Sequence, residues 1–564
     1  MNTISKKWLF ALIIFIVIAG VMGTQTPIAP ANAQTDPTAT PPAEPVTPVS
    51  PDPVPTRDLR FGLVEGFWEP EETAELAPGW DRILFYWREI QPNDADDWNT
   101  LHVYEEWLAE ADAQGRQVMG LLKNTPAWAT DGLPESGLPR GLYLPTDDPE
   151  NLWANYVRRI AQYYGPLGVH HWIVWNEPDI LLGEHGHEFT GDEADYYQLV
   201  KVAYTVLKEE DPQAVVHLGG LTYWHDVANG RSPYLERFLE VVTADPEAEA
   251  NNYFFDAITL HIYYRVETVP SIVSEMDAIQ QEFGLDKEIW INETNTTTAY
   301  DPEWWTEVPP FPINLDQQAY YLVQAYGLGF AAGADSIGTY KLIDIHLPPG
   351  AESFGMLRPD LSKRPVYFAY KTIVEQLSGF TAVSHESDWD HNLLTFDMPD
   401  GVTHLLWARS GKGIVLDVPA TMDEAVLVGI DGVETAVTPI SNTYSITLPG
   451  AICTAEECLT GGEPFFLVEK FPPTPTPTAT ATASPTPSPT ATLPPTSTPP
   501  PTATATATST IAPTATTEAT ATPVPTATPV PSSESGVAAN ASYLLFGIAG
   551  ILTAVGGLIW WKRK

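Results

Sequence analysis

His171-Trp172-Ile173-Val174-Trp175-Asn176-Glu177-Pro178 is an apolar run that stops abruptly at Asn-Glu. Glu288-Ile289-Trp290-Ile291-Asn292-Glu293-Thr294 repeats the pattern. Short runs of β-branched and aromatic residues closed by turn residues read as buried strands, and each of these two ends in a carboxylate. The strands proper take in His170–Trp175 and Glu288–Asn292. Six further runs of the same kind are Leu59–Trp68, Arg82–Trp87, Gln117–Lys123, Val215–Leu221, Phe255–Tyr263 and Ser336–Lys341. Helical periodicity falls between them at Tyr104–Gln114, Leu152–Tyr163, Ala194–Glu210, Tyr234–Thr243, Ser271–Phe283 and Gln317–Phe330, with Val366–Leu377 closing the set. Eight strands alternating with helices over roughly 320 residues predict an α/β fold of the (β/α)8 TIM-barrel type. A doubly wound open sheet is the competing topology, but no glycine-rich fingerprint follows the first strand.

The barrel is expected over 58–380. From 381 to 471 the pattern changes to short strands at turn-rich spacing: Leu393–Asp397, Thr403–Ala408, Gly413–Val418, Ala425–Val428, Tyr444–Leu448 and Phe465–Val468. This predicts a small β-sandwich domain. Cys453 and Cys458, the chain's 2 cysteines, are expected to close a short disulfide loop in an exported protein.

The flanks differ in kind from this core. Of 54 prolines in 564 residues, 8 lie in 34–57 and 17 in 472–535. The first tract reads as a linker. The second, rich in Thr and Ala, has too little apolar bulk to offset chain entropy and reads as a disordered stalk. Residues 1–33 have the form of a signal peptide, with Lys6-Lys7, an apolar run from Trp8 to Gly23, and Ala31-Asn32-Ala33 for cleavage. At the other end, 536–564 holds Ala541–Trp561, uncharged and followed by Lys562-Arg563-Lys564, which reads as a membrane anchor with a basic cytoplasmic tail. The expected location is therefore the cell surface, with the globular part outside and tethered by a single C-terminal transmembrane helix. A formal charge of −44, from 28 basic and 72 acidic residues, repels phosphate backbones and argues against nucleic acid as a partner. Two cysteines exclude a disulfide-dense scaffold and a four-cysteine zinc site.

Catalytic groups on such a barrel come from the C-terminal ends of its strands. Glu177 and Glu293 stand there, each partly desolvated, so that neighbours can set their protonation. Two carboxyl groups in different environments suit acetal cleavage, one to protonate the leaving oxygen and one to attack the anomeric carbon or activate water. A single Asn-Glu pair is more often a helix cap with a first-turn acid; two on non-adjacent strands of an eightfold pattern point to chemistry.

These elements resemble glycoside hydrolase clan A, the retaining β-glycosidases with cellulase-like and β-xylosidase-like members. Trp175-Asn176-Glu177-Pro178 is similar to the clan's fourth-strand acid/base motif, and Ile291-Asn292-Glu293 to its seventh-strand nucleophile. His261-Ile262-Tyr263 is similar to the sixth-strand His-x-Tyr, and Arg82 to the second-strand arginine. The resemblance covers about 59–380 and, more loosely, the β domain. It implies that Glu177 acts as general acid and then base. Glu293 would be the nucleophile, kept anionic by Arg82 and Tyr263, and Asn176 would donate to the sugar 2-hydroxyl. The implied partner is an oligo- or polysaccharide substrate, and no cofactor or metal is expected. The clan's eighth strand often ends in a Trp that floors the subsite; here it reads Gly338-Thr339-Tyr340-Lys341, and Tyr340 is the candidate replacement.

Other candidates are weaker. Trp87, Trp128, Trp175 and the pair Trp304-Trp305 offer flat faces for sugar stacking, although single tryptophans more often pack in the core. His185 and His187 are ligand-capable, but no third ligand accompanies them. The competing function is a barrel that holds glycans or a partner protein without turnover, which needs no paired acid and nucleophile.

Overall fold

The computed structural model describes residues 54–304, 311–344, 353–453 and 458–472. The signal peptide, most of the linker and stalk, the apolar stretch Ala541–Trp561 and Trp305 fall outside the described residues. Among the described residues, no helix is long and apolar enough to cross a membrane.

Eight parallel strands close into a barrel: β1 (Phe61–Val64), β2 (Trp80–Tyr86), β3 (Gln117–Lys123), β4 (His171–Val174), β5 (Val215–Leu218), β6 (Ala257–Tyr263), β7 (Glu288–Asn295) and β8 (Ser336–Thr339). All eight sequence-predicted strands are present and the open-sheet alternative falls. Alternation sorts the side chains. Along β2, Ile83 and Phe85 join the core under the helices, while Trp80 and Leu84 belong to a separate cluster inside the barrel. Met119, Leu121, Ile173, Ala257 and Trp290 complete that inner cluster. Gly62 and Gly338 make room for its largest member. A Cβ on Gly62 would lie 1.9 Å from the Trp80 ring, and one on Gly338 would lie 2.3 Å from it.

The outer helices begin where side chains can satisfy their free N–H groups. Asn151 accepts from Ala154 N ahead of Leu152–Tyr164. Reciprocal capping boxes, Asp192 with Asp195 and Asn314 with Gln317, open Glu193–Glu210 and Leu315–Ala331. Each cap is worth about 1 kcal/mol.

The second domain is a lopsided sandwich. It comprises β9 (Ala382–Ser387), β10 (His391–Met398), β11 (Gly401–Ala408), β12 (Ile414–Pro419), β13 (Ala425–Val428), β14 (Glu434–Val437), β15 (Thr443–Leu448) and β16 (Phe465–Lys470). A six-stranded sheet, ordered β14-β13-β16-β11-β10-β9, is faced by the two-stranded ribbon β12-β15. Leu406, Val418, Tyr444, Ile446 and Leu448 cluster within the domain, while Leu394, Phe396, Leu405, Trp407 and Phe466 merge with the barrel core. The edge strands β9 and β14 were not legible in the sequence: their residues are almost all polar or exposed, and besides strand pairing each packs one valine, Val383 and Val437, against an apolar core. The Cys453–Cys458 disulfide is formed.

Candidate active site

The seventh strand aims its carboxylate by a bulge. Ile291 faces outward, against the helix Leu315–Ala331. With strict alternation Glu293 would share that outward face. Instead Leu260 pairs Ile291 and the next residue, His261, pairs Glu293, leaving Asn292 as the extra residue. One inserted residue reverses the face of the residues after it, so Glu293 turns into the barrel mouth. On β6, His261 and Tyr263 share the inward face with Ala257 by ordinary alternation.

Beyond β4 the chain turns sharply, with Trp175 at φ 71° and Glu177 at φ 44°. Left-handed backbone costs non-glycine residues about 1–2 kcal/mol each and is concentrated at functional sites. The turn is pinned on both sides. Tyr196 donates to Val174 O (2.9 Å) and accepts from Gly219 N (2.6 Å). Asp179 accepts from Thr222 N (2.8 Å) and Thr222 Oγ1 (2.9 Å); burial lifts its carboxyl to about 6 against those hydrogen bonds.

These strand ends open on a cleft of about 790 Å³ whose lining includes Arg82, Asn176, Glu177, His261, Tyr263, Glu293 and Tyr340. Arg82 Nη2 donates to Glu293 Oε1 and Tyr263 OH donates to Glu293 Oε2. His261 Nδ1 lies 2.7 Å from Glu177 Oε1 and 3.4 Å from Glu293 Oε2. One oxygen of each glutamate and a His261 nitrogen all fall within 4.8 Å of one another. Burial would raise the Glu293 carboxyl, but the Arg82 charge, the His261 imidazole and the Tyr263 hydroxyl together hold it well below the ordinary carboxylate range. Burial and the Glu293 charge push the Tyr263 phenol far up, so it remains a donor. Burial would lower His261, yet the two glutamates raise it.

Glu177, His261 and Glu293 also form the three-residue group close enough to grip a cation among the described residues. Arg82 and Tyr263 already occupy both oxygens of Glu293. The donor set is therefore arranged as an acid pair, not as a cation cage. His185 lines the cleft and His187 does not; His187 Nε2 is buried without a hydrogen-bond partner.

The tryptophans need correction. Trp175 is 0 % exposed, donates to Glu188 O at 2.9 Å and packs edge-on against Trp153 and Phe189. A ring without exposed surface presents no face to a sugar. Trp87 is likewise buried, stacked on Tyr156, and Trp128 packs edge-on to Trp87. Trp304 is half-buried and does not line the cleft. The aromatic residues that do line it include Tyr86, Trp224, Tyr264, Phe311 and Phe354, with Trp224 38 % exposed. Sequence reasoning also missed Glu65, Lys123, Glu188 and Lys341 in the lining. Glu65, Tyr86, Lys123 and Lys341 sit at or just past strand ends, so the rule that singled out Glu177 would have found them, whereas Trp224 opens the short helix Trp224–Asn229 beyond β5.

No protein-family model matches the chain, and no curated protein matches it. Its fold is similar to that of a family 39 glycoside hydrolase from the gut symbiont Bacteroides cellulosilyticus WH2, at 18% identity and TM-score 0.56, covering 73% of this chain and 81% of that one. A glucosidase from Croceicoccus marinus is similar at 14% identity and TM-score 0.51, covering 73% of this chain and 96% of that one. What the chain shares with these glycoside hydrolases at such identities is the architecture, a closed (β/α)8 barrel with an appended β domain.

Proposed function

We propose that the chain is a retaining glycoside hydrolase that cleaves β-glycosidic bonds by double displacement. The observation that carries this reading is the approach of Glu177 and Glu293 oxygens to within 4.8 Å. Retaining enzymes hold their carboxyl groups about 5–5.5 Å apart, whereas inverting enzymes leave about 6.5–9.5 Å for a water. Glu293, anionic beside Arg82, attacks the anomeric carbon and forms a glycosyl ester, while Glu177 gives its proton to the leaving oxygen. Glu177 then takes a proton from the water that opens the ester. Its contact to His261 keeps the carboxyl in place through both steps. Asn176 lines the cleft beside Glu177, which supports the role given it here, donation to the sugar 2-hydroxyl. The folds of the family 39 enzyme and the glucosidase agree with this chemistry. The sequence of the two ends supports an enzyme exported and tethered at the cell surface, acting on oligo- or polysaccharide.

The test is NMR of the anomeric proton during hydrolysis of aryl β-glycosides by wild type and Glu293→Gln. The expected result is a β-configured first product from wild type and loss of turnover in the variant. An α-configured first product overturns the retaining mechanism, and equal turnover by both proteins overturns the role of Glu293. Azide rescue of Glu177→Ala on an activated glycoside checks the acid/base role separately.

A further inference from the structure

Across the cleft from the acid/base, a second carboxylate is buried without a hydrogen bond. Glu65 follows β1 directly at φ 63° and is 8 % exposed, and its side chain lines the cleft. Its Oε2 is buried with no hydrogen-bond partner; its ion partner is Lys341 Nζ at 3.6 Å, beyond hydrogen-bond range. Lys341, just past β8, is 1 % exposed and also lines the cleft. A buried carboxylate and ammonium left apart in this way are under-satisfied, and native proteins keep such groups where something else completes them. The neighbouring Lys123–Glu188 pair is closed by direct contact and needs no third party.

We propose that Glu65 and Lys341 form a clamp for a vicinal diol of the sugar whose bond is cleaved, an inference that rests on the glycosidase reading above. One hydroxyl donates to the Glu65 carboxylate and its neighbour accepts from the Lys341 ammonium, so the diol bridges the open ion pair. Position in the barrel says which diol. The strand order β1 to β8 sets β4, which carries the acid/base and hence the leaving group, opposite β8 and its neighbour β1. Groups on β8 and β1 therefore meet the part of the glycone furthest from the scissile bond, its 3- and 4-hydroxyls. The hydroxyl that gives its proton to Glu65 cannot also carry a further sugar, and the burial of Glu65 and Lys341 leaves no room for one on its neighbour, so the clamp selects a non-reducing terminal residue and the enzyme acts from chain ends.

The test compares kcat/KM for the aryl β-glycoside that wild type hydrolyses fastest with its 3-deoxy, 4-deoxy and 4-O-methyl forms, on wild type, Glu65→Leu and Lys341→Met. Wild type is expected to lose about 10- to 100-fold on each deoxy substrate, the worth of a hydrogen bond to a charged group. In the variants the parent should fall to the level of the deoxy substrates, so that their ratio collapses towards one. A ratio unchanged in both variants overturns the clamp. Because both substrates meet the same enzyme sample, partial misfolding of a variant cannot mimic the collapse. Hydrolysis of the 4-O-methyl substrate as fast as the parent overturns the chain-end selection. Failure of wild type to hydrolyse any glycoside is instead a failure of the glycosidase reading. The clamp is then decided by saturation-transfer NMR with methyl β-D-xyloside and methyl β-D-glucoside: binding of either that is weakened by Glu65→Leu supports it, and absent or unweakened binding of both overturns it.

Discussion

Gly220 lies directly against the imidazole of His261: a Cβ on residue 220 would stand 2.0 Å from His261 Nε2. That glycine follows β5, and its missing side chain lets the ring lie where Nδ1 meets both Glu177 and Glu293. Gly220→Ala should therefore displace the imidazole while leaving the barrel intact. The expected loss in kcat/KM is about 100-fold, the scale of a misplacement near 1 Å. Steady-state kinetics beside an unchanged circular dichroism spectrum checks it; wild-type kinetics would show that His261 does not position the pair.

Removing Arg82 should move the acid limb of the pH profile. Glu293 must be ionised to attack, and the Arg82 charge is the main influence holding it down against burial. In Arg82→Met, burial acts with less opposition, the carboxyl rises, and the acid limb of kcat/KM shifts to higher pH with lower activity throughout. A pH–rate profile of both proteins reads the shift, and an unmoved limb would detach Arg82 from the ionisation of Glu293.

The same group links pH to stability. Its folded pKa lies below the unfolded value of about 4.3, so its stabilising contribution is present above that value and disappears as pH falls through the folded pKa. Glu293→Gln should thus show a shallower loss of stability below about pH 4 than wild type. Urea unfolding at a series of acid pH values measures the difference in slope.

Two tryptophans should separate by type of defect. Trp224 is 38 % exposed in the cleft and Trp175 is 0 % exposed. Trp224→Ala is expected to raise KM with the melting temperature nearly unchanged. Trp175→Ala should cost about 3–5 kcal/mol of stability, as large core truncations do. Thermal melts and kinetics on both variants make the comparison.

Gln324 joins the domains. It is 0 % exposed, its Nε2 donates to Gly462 O at 2.8 Å, and its Oε1 accepts from Gly461 N at 2.9 Å. Gln324→Ala leaves two buried backbone groups unpaired, at about 1–3 kcal/mol each. Chemical denaturation should show the midpoint falling for barrel and β domain together, because they share one apolar core.

The barrel and the two carboxylates Glu177 and Glu293 at strand ends were legible in the sequence pattern, while Arg82, His261 and Tyr263 were expected only from the resemblance to the clan. Alternating strand and helix periods leave few topologies, and polar residues closing apolar strands mark the barrel mouth. Tertiary structure decided the rest. Strand period by itself would send Glu293 outward with Ile291; the extra residue at Asn292 turns it inward, and only pairing with β6 reveals that insertion. Burial likewise separated Trp175 from Trp224, since a tryptophan next to a catalytic motif looks the same in sequence whether its face is covered or open. Glu65 and Lys341 are far apart in the chain and meet because closure of the barrel makes β1 and β8 neighbours. Contacts of that kind belong to the closed sheet, where distance along the chain no longer measures distance in space.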